Sequence, residues 1–206
     1  MESNKNFNFV IDEKFIEANA DKMNWELLSR NVDISKLSLD FIHKFKTEFF
    51  FEDLVDTELT EDFIIEFQDS FDWSKITSRH KLSEEFLRRF QDKLNWCTIS
   101  SQKNLSEEFM REFSDKLCWH CICNSQKLSE YFISEFQEKV DWSQISEYQV
   151  LSEDFIRTFQ DNIDWFMILK NQNLSEDFVR EFKDRAYELF FVKNVEITNA
   201  TEENAG

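Results

Sequence analysis

The chain has 206 residues, with 42 acidic and 24 basic side chains and a formal net charge of −18. It contains no proline, and its one glycine is Gly206; a P-loop, a dinucleotide fingerprint and a nucleophile elbow all need internal glycine and are excluded. An acidic excess of this size also argues against nucleic-acid binding, which draws on clustered Lys and Arg.

Residues 1–10 are polar apart from Met1, Phe7, Phe9 and Val10, with no basic segment leading into an apolar run. No signal peptide is expected there. Nowhere do 18 apolar residues run together, so no transmembrane helix is expected. A repeating unit then begins. Ile11 opens a unit of 26 residues with Trp25 fourteen places on, and Leu37 opens one of 22 residues with Phe51 in that place. From Leu59 the period is 23 residues: Leu59, Leu82, Leu105, Leu128, Leu151 and Leu174 recur, as do Trp73, Trp96, Trp119, Trp142 and Trp165. A fixed period of this length marks a solenoid.

With the opening residue counted as place zero, place four is always Phe, from Phe15 and Phe41 to Phe178. Place five is aliphatic or Met (Leu87, Met110, Ile133), place eight is Phe after the first unit, and place twelve is mostly apolar (Leu94, Leu117, Val140). Offsets of four, five, eight and twelve share one helical face. Ser83, Ser106, Ser129, Ser152 and Ser175, with Thr60, stand at place one, where a hydroxyl caps the first turn. This predicts a first helix over places two to twelve. Asp72, Asp141 and Asp164 precede the Trp and predict caps for a second, shorter helix, in which Trp142 and Ile145 share a face, as do their equivalents.

The expected fold is all-α: a right-handed helical-repeat solenoid of about eight units, each with one longer and one short helix. It is expected to be a single elongated, curved domain over 1–206, with irregular units at 11–58 and regular ones at 59–173. Over 174–197 a divergent unit caps the C-terminal end: Glu188 replaces the Trp, and Leu189 to Val192 are expected to fold over the open core. Residues 198–206 are expected to be a flexible tail.

The motif Leu-Ser-Glu-Asp-Phe-Ile, then Phe-Gln-Asp, Asp-Trp and Ile-Ser, resembles tandem repeats in proteins of large DNA viruses, phages and AT-rich bacteria. The units opening at Leu59 to Leu174 carry the resemblance best. It implies a viral or phage-like origin and carries no shared activity.

Charge is arranged in columns. Place two holds Glu61, Glu84, Glu107, Glu130, Glu153 and Glu176; place ten holds Asp69, Asp92, Asp115, Glu138, Asp161 and Asp184. Acids at place two suit the helix dipole. Glu84, Glu107, Glu153 and Glu176 also stand four residues before Arg88, Arg111, Arg157 and Arg180, the favourable order for helix pairs. Read as a working surface instead, Glu84, Glu107, Glu130, Glu153, Glu176, Asp92, Asp115, Glu138 and Asp161 form acidic ridges that attract a basic protein patch. The expected function is therefore non-enzymatic protein binding, with no direct nucleic-acid or membrane contact. Alternatives are an acidic DNA mimic that blocks a nucleic-acid-binding complex, or a structural part of a viral particle. Tyr148 and Phe166 occupy places where other units carry polar residues, and are candidate exposed aromatics of a binding face.

Cys118, His120, Cys121 and Cys123 cluster, with Cys97 one repeat earlier. They are zinc-type ligands. A full repeat step separates Cys97 from its equivalent His120, so no metal and no cofactor are expected. Reduced thiols in a cytoplasmic protein are expected instead. His43, His80 and His120 fall at unrelated places, and His80 shares its place with Gln126, Gln149 and Gln172, which reads as a surface or turn position. No catalytic residues are expected.

Overall fold

The structure is a computed structural model, and it describes residues 12–102, 104–183 and 185. The described residues contain fifteen α-helices and no strand. They form the expected helical-repeat solenoid, with a pair of helices in each unit. The chain divides into two compact units, Met1–Asn95 and Trp96–Gly206. The first holds α1 (Glu13–Ala18), α2 (Trp25–Asn31), α3 (Leu39–Lys44), α4 (Phe51–Leu54), α5 (Glu61–Glu66), α6 (Trp73–Arg79) and α7 (Glu84–Arg89). The second holds α8 (Trp96–Ser101), α9 (Glu107–Glu112), α10 (Trp119–Ser125), α11 (Glu130–Glu135), α12 (Trp142–Tyr148), α13 (Glu153–Thr158), α14 (Trp165–Asn171) and α15 (Glu176–Glu181). Odd-numbered helices are the first of each pair. In the second unit α10 packs on α8, α12 on α10 and α14 on α12; in the first, α4 packs on α2.

The place-one caps form as expected. The Phe86, Phe109, Phe132, Phe155 and Phe178 amides donate to the Ser hydroxyls three residues back, at 3.1–3.2 Å. Asp141 and Asp164 each accept two amides at the start of α12 and α14, and Asp72 accepts one at α6. The first helix is shorter than its apolar spacing predicts. It stops at place seven, because the place-eight Phe leaves helical geometry (Phe113, φ −107, ψ 23). The chain continues as turns, closed by bonds such as Lys116 N to Phe113 O and Leu117 N to Phe113 O. These keep place twelve on the apolar face. Both helices of a regular pair thus have six or seven residues. The segments 1–10, Leu189 to Val192 and 198–206 lie outside the described residues.

The core is a continuous aromatic seam within each unit. Phe109, Phe132 and Phe178 are fully buried, as are Ile99, Ile122, Ile145 and Ile168 of the second helices. Each Trp joins its repeat to the next: Trp119 lies 4.9 Å from Phe136 and 6.1 Å from Phe132, ring centre to ring centre. Its Nε1 donates to Ser114 O at 2.9 Å. Trp119 is half-buried rather than enclosed, and Lys139 of the next repeat sits over its ring. The three extra residues of the first repeat are absorbed by a 3₁₀ turn, Ile34–Lys36, which buries Ile34.

Candidate functional site

The two acidic columns behave differently. At place two, Glu13, Glu61, Glu107, Glu130 and Glu153 reach into the following repeat. Glu107, Glu130 and Glu153 accept the backbone N–H of Ser129, Ser152 and Ser175, at 2.8, 2.6 and 2.7 Å. Glu61 does the same for Ser83 and also accepts its hydroxyl at 2.8 Å, and Glu13 accepts the Ser38 amide. The Ser caps its own helix with its hydroxyl, while its N–H is taken by the carboxylate of the previous repeat. Glu153 is held below the ordinary carboxylate range chiefly by that Ser175 amide. Glu84 is half-buried and pairs with Arg88, and Glu176 is 94% exposed and pairs with Arg180. Glu107, Glu130 and Glu153 are therefore structural brackets, committed to the stack rather than offered as a free ridge.

The place-ten acids stand in the turn between the two helices and project outward. The side chains of Asp69, Asp115 and Asp161 are 80–92% exposed, and Asp92 and Glu138 are exposed too. Cations of the next repeat reach them: Lys93 to Asp69 at 3.6 Å, Lys139 to Asp115 at 2.6 Å, and Arg185 to Asp161 at 2.9 Å. The Arg column lies elsewhere. Arg111 and Arg157 join acids of their own repeat to Glu135 and Glu181 of the next, and cover the rings of Phe132 and Phe178.

Tyr148 is 54% exposed and Phe166 40% exposed. They do not form one patch: Tyr148 ends α12, where second helices lead into first ones, whereas Phe166 begins α14, on the edge that carries the place-ten acids. Two further exposed residues stand in the same repeat as Tyr148. Tyr131 is 74% exposed on the first turn of α11, and Val150 is 89% exposed two residues beyond α12. The repeat itself could have revealed them. Tyr131 takes a place held by Asp62, Glu85, Glu108, Asp154 and Asp177, and Val150 one held by Lys81, Asn104, Lys127 and Asn173.

The place of Gln126, Gln149 and Gln172 is not a surface position. Gln126 and Gln149 are buried. Gln149 donates to the carbonyls of Cys123 and Gln126 at 2.7 and 2.8 Å and accepts the Leu128 amide at 3.0 Å. It thereby satisfies backbone groups that the turn between repeats leaves unpaired. His80 serves in the same place, its Nε2 donating to Val55 O at 3.0 Å, and burial pushes it below the usual imidazole range. With Arg79, Asp56, Thr57 and Glu58 it borders an open depression of about 290 Å³. His43 stands in the Arg place and meets Glu66 of the next repeat at 2.6 Å, as Arg111 meets Glu135. His120 meets Asp141 of the next repeat at 2.8 Å. Each of the three histidines joins neighbouring repeats.

Cys123 takes the place of Ser29, Thr77, Ser100 and Ser146, buried groups whose hydroxyls donate back into their own helix. Ser100 and Ser146 also accept the amides of Cys118 and Asp164, at 2.9 Å each. Cys123 accepts the Asp141 amide at 3.4 Å, and burial pushes its thiol up to about 11. Among the described residues no group of three or more His, Cys, Asp or Glu is arranged to hold a metal ion, and no helix is long and apolar enough to cross a membrane. No family model, no curated protein and no solved structure matches the chain.

Proposed function

We propose that the chain is a non-enzymatic protein-binding repeat protein, viral or phage-encoded, that acts in the host-cell cytoplasm on a partner with a basic patch. The observation that carries this reading is one repeat with three exposed apolar departures: Tyr131, Tyr148 and Val150. Exposed aromatic anchors of this type supply the holding energy at protein interfaces. The place-ten acids Asp115, Glu138 and Asp161 add a negative field that speeds encounter and is screened by salt. Their Lys and Arg neighbours dilute that field, which suits a protein partner better than mimicry of a phosphate backbone. The histidines, spent on joints between repeats, support the non-enzymatic reading.

The test uses changes that restore the residues of neighbouring repeats and so spare the fold: Tyr131→Glu, Tyr148→Ser and Val150→Lys. A partner is first captured by cross-linking in host extract and identified by mass spectrometry, and binding of the purified pair is then timed. The triple variant should dissociate at least ~10-fold faster, since a contact worth about 1.4 kcal/mol is a tenfold change. Asp115→Asn, Glu138→Gln and Asp161→Asn together should slow association and flatten its salt dependence. Rates unchanged in both variants contradict the proposal.

A further inference from the structure

We propose, resting on the protein-binding reading above, that the face of Trp142, with Gln137 and Glu138 beside it, is a seat for a lysine side chain of the protein partner. The same arrangement occurs inside the stack. Four tryptophans are half-buried, Trp73, Trp96, Trp119 and Trp142, whereas Trp25 and Trp165 are buried. For three of the four, the next repeat supplies a lysine at place eleven. Lys93 lies 5.0 Å from the centre of the Trp73 ring, Lys116 5.5 Å from Trp96 and Lys139 6.0 Å from Trp119.

Lys93 and Lys139 are held by more than the indole. Lys93 also lies 6.0 Å from the Phe90 ring, donates to the Gln68 carboxamide at 3.1 Å and meets Asp69 at 3.6 Å. Lys139 lies 6.0 Å from the Phe136 ring and donates to Asp115 at 2.6 Å. The seat is therefore two rings, one from each repeat, with polar groups from places nine and ten of the earlier repeat. A cation within about 6 Å of an aromatic centre is drawn to the negative ring face, Trp most strongly. The carboxylate adds to that attraction.

At Trp142 the seat is built without its lysine. Trp142 stacks on Phe159 at 5.0 Å, as Trp119 does on Phe136 at 4.9 Å. The place-eleven amide donates to the Phe159 carbonyl at 2.9 Å, as that of Lys139 does to Phe136 at 2.8 Å. The residue there is Asn162, which is exposed and uncharged. Among the described residues no cation lies over Trp142 and none pairs with Glu138. The Trp142 Nε1 bond to Gln137 O, at 3.1 Å, is exposed, whereas those of Trp73 and Trp119 are partly buried. Gln137 and Glu138 are exposed and hold the places of Gln68 and Asp69. Glu138 is the one glutamate among the place-ten acids of the regular repeats, and its extra methylene lengthens its reach. Lysine suits the seat because a compact ammonium on a flexible stem reaches ring, carboxamide and carboxylate together, as Lys93 does.

The experiment titrates the isotope-labelled full chain with an acetylated and amidated tetralysine peptide and follows the Trp indole N–H signals by NMR. Trp142→Phe assigns the Trp142 signal; Phe51 already stands in that place in another repeat. The Trp142 signal should shift most and saturate. Glu138→Gln should weaken the binding read from it at least ~10-fold, and so should Asn162→Lys, which fills the seat from within. Asn162→Lys restores the residue of Lys93, Lys116 and Lys139 and should melt no lower than the parent, so lost binding there is not misfolding. It adds a single positive charge to a net charge of −18, so diffuse attraction to the acidic surface would survive it. The same peptide with its side-chain amines acetylated should shift nothing. Equal shifts at Trp73, Trp119 and Trp142, no shift at Trp142, or binding undiminished in Asn162→Lys would each overturn the proposal. Those outcomes leave the protein-binding reading standing, since that reading falls on unchanged rates in its own two variants.

Discussion

Two columns of carboxylates run through the repeats, and they differ in what holds them. Glu107, Glu130 and Glu153 each take a backbone amide of the next repeat, on a serine that already caps its own helix. Asp115 and Asp161 stand out in the turns, where flexible cations meet them. The charge is the same in both columns. A carboxylate that accepts a fixed backbone N–H becomes part of the joint between repeats. One that meets a Lys on the surface gains little, because both ends remain solvated.

The largest effects should come from the joints. Phe132→Ala opens a fully buried site between repeats and should cost about 3–5 kcal/mol. Trp119→Ala should cost less, roughly 1.5–3 kcal/mol, since its ring is half-exposed. Urea unfolding of the two variants checks the order. Glu130→Ala leaves the Ser152 amide without its carboxylate, and we expect a loss of ~1–2 kcal/mol, toward the lower end for a bond to a charged group because the site is partly solvated. Glu107→Ala should match it. Asp115→Ala should leave the unfolding midpoint unchanged. If the Glu130 and Asp115 variants unfold alike, the two columns do not differ.

Smaller effects should appear with pH. Glu153 has a folded value below its ordinary one, so its contribution is complete above the unfolded Glu value, about 4.3, and is lost as pH falls through the folded value. His80 is also depressed, by burial. Its unfolded form binds a proton first, so stability is complete above about 6.5 and falls as pH drops below that. His80→Gln supplies the residue of Gln126 and Gln149 and should remove the share of pH dependence between about pH 6.5 and the lower carboxylate window. Melting curves from pH 3 to 8 would show it. An identical pH profile in His80→Gln contradicts the role assigned to His80.

Much of the fold was readable because its determinants are local or periodic. Ser83 and its equivalents cap within their own first turn, Asp141 caps within α12, and the places of Phe132 and Ile145 repeat along the chain. What escaped is set by partners about one repeat away. Glu130 and the Ser152 amide are 22 residues apart, and nothing in the helix pattern separates a bracket from a solvated acid. Gln149 is polar and precedes a turn, so it reads as surface, yet three backbone groups from α10 and the turn after it meet on it. The first helix reads long because the turns at places eight to twelve keep the apolar spacing after helical geometry ends. Cys123 was readable in principle, since comparison down its place shows Ser100 and Ser146, whereas Cys118 stands out by the same comparison as the one thiol among caps.

The bracket itself can be watched one amide at a time. Native-state hydrogen exchange, followed by NMR, should show the Ser152 amide protected in the parent chain and at least ~10-fold less protected in Glu130→Ala, a change equivalent to about 1.4 kcal/mol of local opening. Ser129, held by Glu107, should stay protected in that variant, and Glu138→Ala should change neither amide. Ser152 protection that survives Glu130→Ala, or that falls equally in Glu138→Ala, would contradict the assignment of the place-two carboxylates as the joints of the stack.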